Sequence, residues 1–131
     1  MKQIMIDTNC YAGFKRNQPV AMDAFKTFEY IGISVIALGE ILSGFKGGSK
    51  ETMNREELEQ FLDTPRVHVM QIDEETAEFF ANIYWDLKKK GKPIPTNDIW
   101  IAASAMRHGL ALFTFDNHFN NIRGLLLHNT A

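Results

Sequence analysis

The chain has 131 residues, 45% of them apolar and 11% aromatic, enough to pack the core of one ordinary domain and too much for a disordered, collagen-like or disulfide-stapled protein. Fourteen Lys plus Arg against sixteen Asp plus Glu leave a formal net charge of −2, so no global positive field draws nucleic acid and any such partner needs local attraction. The lone Cys10 forms no internal bridge, no run approaches the ~20 apolar residues of a membrane span, and Asp7 interrupts the opening segment before a signal-like apolar stretch develops, which together predict a cytoplasmic protein.

Gln3 to Ile6 is a short apolar run ending at Asp7-Thr8-Asn9, residue types that start a helix more readily than they continue a strand. Val20, Ala24, Phe25 and Phe28 follow at near-helical spacing, and Ile31 to Ile36 reads as a second strand before a helical Ala37 to Phe45. Met53 to Leu62 reads as a solvated helix, stopped by Thr64-Pro65 ahead of a third strand, Val67 to Ile72. In Glu74 to Lys90 the apolar residues Ala77, Phe80, Ala81, Tyr84 and Leu87 recur at helical intervals, with Lys88-Lys89-Lys90 in the last turn and Gly91 after it. Thr96 or Asn97 can cap a helix from Asp98 to Arg107 that is apolar on most sides and therefore buried. A fourth strand, Leu110 to Phe113, and a fifth, Leu125 to Leu127, flank a short helical turn near His118. Strands alternating with helices predict βαβ crossovers and a single three-layer α/β/α domain over residues 1–131 with a mostly parallel central sheet.

Ligands of open α/β sheets bind beyond the carboxyl ends of the strands. Asp7 follows strand one, Glu40 is expected in the first turn of the helix after strand two, Asp98 opens the buried helix, and Asp116 follows strand four. Two carboxylates ~4 Å apart repel by about 4 kcal/mol at an effective dielectric of ~20, so such a set needs protons or cations. Hard oxygen donors without His or Cys suit Mg²⁺ or Mn²⁺, and the implied chemistry is phosphoester hydrolysis by ion-activated water. Taken singly, Asp7 and Asp98 read as helix caps and Asp116 as the start of a turn. Their shared sheet end, and Glu40 amid the apolar Ile36 to Leu42 run, favour the metal reading for the set.

Four motifs in this order, Ile6-Asp7-Thr8-Asn9, Leu38-Gly39-Glu40-Ile41-Leu42-Ser43-Gly44, Ile94 to Ala103 around Asp98, and Phe113-Thr114-Phe115-Asp116-Asn117-His118-Phe119, resemble the PIN-domain nucleases and, within them, the VapC-type toxins of bacterial toxin-antitoxin pairs. The resemblance implies a PIN-like fold and a metal site of Asp7, Asp98, Glu40 and Asp116, with Thr114 bonding the last acid or a metal water and Asn9 orienting Asp7. It also implies Mg²⁺ or Mn²⁺ dependence, endonucleolytic cleavage of RNA, a homodimer and a cognate antitoxin. The family often carries a second Asp two residues beyond the position of Asp116; here that residue is His118, which leaves one ion or two open and makes His118 a candidate phosphate contact.

Lys15 and Arg16, just past the Asp7 turn, are candidates for the mouth of an RNA groove, and Lys46, Lys50 and Lys92 are other local cations; Lys88 to Lys90 suit the helix dipole. Cys10 reads as a small buried hydrophobe, and Phe25, Phe28, Phe79, Phe80 and Tyr84 as core or dimer contacts. Three rivals compete with the nuclease. A phosphatase with Asp7 as nucleophile wants an acid where Asn9 stands, and a receiver domain wants an acid pair and a late Lys. A degenerate module that only binds a partner has no use for four acids.

Overall fold

The computed structural model describes residues 2–128. Four strands, β1 (Gln3–Ile6), β2 (Tyr30–Ser34), β3 (Val67–Met70) and β4 (Ala111–Phe113), alternate with six helices, α1 (Thr8–Lys15), α2 (Pro19–Thr27), α3 (Val35–Lys46), α4 (Glu51–Leu62), α5 (Glu74–Lys90) and α6 (Thr96–Arg107). A short 3₁₀ turn, Asn117–Asn121, follows β4. The sheet runs in the order β3-β2-β1-β4 and every pairing is parallel. Successive strand residues face opposite sides of a sheet, and Ile4, Met5 and Ile6, like Ile31 to Ser34, are all buried, so helices cover both faces. The architecture is thus the expected α/β/α sandwich, with an all-parallel sheet. No helix among the described residues is long and apolar enough to cross a membrane.

Several boundaries move for identifiable reasons. Ser34 ends β2 because its Oγ accepts the Ile36 N–H at 3.0 Å, an N-cap that pulls the β-branched Val35 and Ile36 into α3 rather than into the strand. Helix α3 therefore starts early, and Glu40 falls in its second turn rather than its first. β3 stops at Met70, because Asp73 caps α5 and the chain turns toward it. The expected fifth strand is only a parallel bridge between Leu112 and Leu127, with the Leu112 N–H bonded to the Leu126 carbonyl at 2.8 Å and the His128 N–H to the Leu112 carbonyl at 2.9 Å. Gly124, at φ 84°, makes the turn that brings this segment back against β4. At α6 neither Thr96 nor Asn97 is the cap. Pro95 is, through its carbonyl, which accepts from Asp98 N–H at 3.0 Å and Ile99 N–H at 3.3 Å.

Helix α5 has the start and stop its sequence announces. Asp73 and Thr76 form a capping box, and Gly91 closes the helix in the left-handed region at φ 69°. Asp73 accepts from the Thr76 N–H at 2.9 Å and the Thr76 hydroxyl at 2.8 Å and pairs with Arg107 at 3.3 Å, which ties α5 to the end of α6. These donors, the Thr76 N–H foremost, hold the Asp73 carboxyl down at about 2 against an ordinary 3.8. A depressed carboxyl contributes stability above its unfolded value and loses it as pH falls through the folded one. Asp73→Ala is therefore expected to melt at a lower temperature than the parent at neutral pH, with the gap closing as pH drops from about 4 toward about 2. Parallel melting curves across that range are the check, and a constant gap would contradict the assignment.

Candidate active site

The strand order reverses at β1, which pairs with β2 on one side and with β4 on the other, and a crevice opens at such a switch point. Ile6 and Phe113 are register partners at the ends of β1 and β4, so the next residues, Asp7 and Thr114, emerge side by side. The Thr114 hydroxyl donates to Asp7 Oδ2 at 2.5 Å and accepts from the Asp116 N–H at 3.0 Å, joining two acids through one side chain. Asp7 Oδ1 accepts the Cys10 N–H at 3.0 Å as the N-cap of α1, where the helix dipole favours an anion. The cap reading of Asp7 is therefore correct, yet each of its oxygens keeps a lone pair free. Asp98 and Asp116 cap nothing with their side chains.

Asn9, expected to orient Asp7, instead donates from Nδ2 to Asp116 Oδ2 at 3.1 Å. As the second residue of α1 it points away from the cap and across to the end of β4. Thr8, the residue between, donates its hydroxyl to Glu40 Oε1 at 2.7 Å and so pins α3 to the start of α1. Sequence reasoning passed over Thr8, although its place inside the Asp7-Thr8-Asn9 turn was the available signal. His118 Nε2 lies 2.8 Å from Asp98 Oδ2, a close electrostatic contact whose ring N–H is not aimed along the line of a hydrogen bond. Lys15 pairs with Glu57 at 2.6 Å, while Arg16 is exposed at the end of α1. Lys90 is bound to Asp86 at 2.8 Å and to the Asn121 carbonyl at 3.1 Å, a structural use of that cation.

Burial first, and neighbouring charge second, perturbs two of the acids. Asp7, only 3% exposed, has its carboxyl raised above 3.8, chiefly by desolvation, with the Asp116 charge adding to it against the bonds from Thr114 and Cys10. Asp98 is also raised above 3.8, first by desolvation, with His118 opposing and Glu40 and Asp116 adding to the shift. Asp116 is thus in electrostatic reach of both Asp7 and Asp98, and Glu40 of Asp98, although the described residues contain no ready-made cage of three His, Cys, Asp or Glu ligands. An open set of hard oxygen donors fits Mg²⁺ or Mn²⁺, which retain several waters and take only one or two carboxylates from the protein. Cys10 is fully buried, gives its thiol to the Phe113 carbonyl at 2.9 Å and is pushed far up by burial, so it is no nucleophile.

Fold and carboxylates together define an α/β protein with an acidic site at the carboxyl end of a parallel sheet. The family model described as the PIN domain matches residues 4–125, and the chain belongs to that family. It is 30% identical over 119 residues to Ribonuclease VapC4 of Mycobacterium tuberculosis, covering 91% of this chain and 90% of that protein. It is also 30% identical over 127 residues to Ribonuclease VapC2 of Haemophilus influenzae, covering 94% and 89%. Among solved structures, the DNA-bound VapBC of Salmonella typhimurium superposes with a TM-score of 0.89 at 27% identity over 100% of both chains.

Proposed function

We propose that the protein is a divalent-metal-dependent endoribonuclease, the toxin of a toxin-antitoxin pair, acting from one domain in the cytoplasm where RNA is its substrate. The observation that carries this reading is the bridge from Asp7 through Thr114 to Asp116 at the switch point, with Asp98 in electrostatic reach of Asp116 and Glu40, on a chain similar over nearly its whole length to VapC ribonucleases. Asp7 and Asp98 would hold Mg²⁺ or Mn²⁺, with Glu40 and Asp116 completing the anionic set. A bound ion of this kind supplies a Lewis acid that makes water nucleophilic at neutral pH and steadies charge on the phosphate. Thr114 keeps Asp7 oriented, Thr8 keeps Glu40 at the site, and Asn9 does the same for Asp116. His118 stands where it can meet a phosphate once Asp98 is engaged, and Arg16 and Lys15 offer cations along α1.

Solved neighbours are VapBC complexes, which supports an antitoxin as partner of this chain. The exposed Tyr84 and Trp85 on α5, 39% and 54% exposed, give a homodimer an apolar face to bury. Purified protein incubated with total cellular RNA is expected to yield discrete fragments with Mg²⁺ or Mn²⁺ and none with EDTA. A folded protein that binds Mn²⁺ but cuts no RNA under either ion would instead favour the binding-module alternative.

A further inference from the structure

The turn that carries Asp116 also sends an imidazole back to Asp98. It is anchored on both sides of that ring: the Asp116 N–H donates to Thr114 at 3.0 Å, Phe119 is fully buried, and the Ile122 N–H donates to the Phe119 carbonyl at 3.1 Å. Between these anchors His118 packs on Phe119, ring centroids 4.9 Å apart, and brings Nε2 to 2.8 Å from Asp98 Oδ2. That nitrogen is closed to solvent and makes no aligned hydrogen bond among the described residues. An Mg²⁺ or Mn²⁺ ion bonded at ~2.1 Å to Oδ2 on the side of the ring would stand within about 3.5 Å of Nε2. The waters such an ion retains have no approach there. The ring therefore withdraws Oδ2 from ion binding and leaves Asp98 its Oδ1.

The other acids are partly committed too. Glu40 Oε1 accepts the Thr8 hydroxyl, Asp116 Oδ2 accepts the Asn9 amide, and both oxygens of Asp7 accept, one from Cys10 and one from Thr114. Among the described residues this leaves one unengaged oxygen each on Glu40, Asp98 and Asp116, and lone pairs only on Asp7. Single oxygens from separate carboxylates suit one octahedral ion that keeps its waters. A carboxylate that gives one oxygen to each of two ions needs both of them clear, and none of the four acids has that. We propose that His118 stands in the place of a second ion, so that the site holds one Mg²⁺ or Mn²⁺ per chain. The proposal rests on the metal-dependent ribonuclease reading and settles what that reading leaves open, the number of ions.

The test is titration of the metal-free protein with Mn²⁺, followed by calorimetry and by electron paramagnetic resonance, alone and with AMP as a phosphate-bearing probe. The parent is expected to take one ion per chain in both conditions and to show the spectrum of an isolated Mn²⁺. His118→Asp replaces the ring with a shorter oxygen donor and is expected to take two ions, whose separation of ~3.5–4 Å makes their spins couple. His118→Phe keeps a ring without its nitrogens and is expected to stay at one. Circular dichroism melts establish that both variants fold. Two ions in the parent, a single ion in the folded Asp variant, or a nitrogen coupling on the Mn²⁺ signal, which would make His118 a ligand, would each overturn the proposal. Two ions in a parent that cuts RNA would leave the ribonuclease reading standing and sink this inference alone. Absence of any Mn²⁺ binding would sink the metal-dependent reading and this inference with it.

Discussion

Asp98→Asn is expected to lose RNA cleavage by at least about three orders of magnitude, the ~4 kcal/mol of transition-state stabilisation that an ion-holding carboxylate supports. The substitution keeps the shape of the side chain while removing its charge. Asp98 caps no helix with its side chain, and the α6 start is secured by the Pro95 carbonyl, so the fold has no need of the carboxylate. Removing an acid already pushed toward protonation by burial and by Glu40 and Asp116 should leave the melting temperature unchanged or slightly raised. Mn²⁺ affinity should fall with activity. A variant that is folded, binds Mn²⁺ as the parent does and cuts RNA at full rate would remove Asp98 from the site.

Asp7→Asn is expected to abolish cleavage as well but to stabilise the metal-free protein. Asp7 has a carboxyl raised in the folded state, so the native protein holds its proton more tightly than the unfolded chain does. The sign is opposite to that of Asp73: metal-free stability is greatest at low pH and declines as pH rises from 3.8 through the raised value, with the full cost present at neutral pH. An amide carries no charge to desolvate, and its oxygen can still accept the Cys10 N–H as an N-cap. The melting temperature without metal should therefore rise at neutral pH, each kcal/mol gained being worth roughly 3–6 °C at this chain length. Adding Mn²⁺ should reverse the ranking, because an ion at ~100 times its Kd adds about 2.7 kcal/mol to the parent and little to the variant. A variant that melts below the parent without metal would mean that the charge of Asp7 helps to hold the fold together.

Much of this could be read directly from the residues. Parallel strands buried on both faces announce themselves as continuous apolar runs, and α5 is bounded by its own capping and stop residues, so both follow from local chemistry. The four acids were legible as a set because the end of a strand in an α/β sheet is a fixed place. What each neutral side chain touches was not legible, because it depends on packing between distant segments. Asn9 meets Asp116 across 107 positions, and Thr8 meets Glu40 across 32, and nothing local to either residue specifies its partner. Similarly, Val35 and Ile36 favour a strand by propensity, and only the cap at Ser34 decides otherwise.

The bond from Thr114 to Asp7 spans 107 positions along the chain, and β4, the strand that delivers Thr114, pairs with β1 from the opposite end of the fold. During synthesis β1 leaves the ribosome early and waits for β4, which is translated more than a hundred residues later. Non-local parallel pairing is slow and comes late in folding. A ribosome carrying a half-made copy thus carries a protein whose acids are still apart. Because the site is assembled from the two ends of the chain, Asp7, Thr114 and Asp116 come together only once β4 has been made.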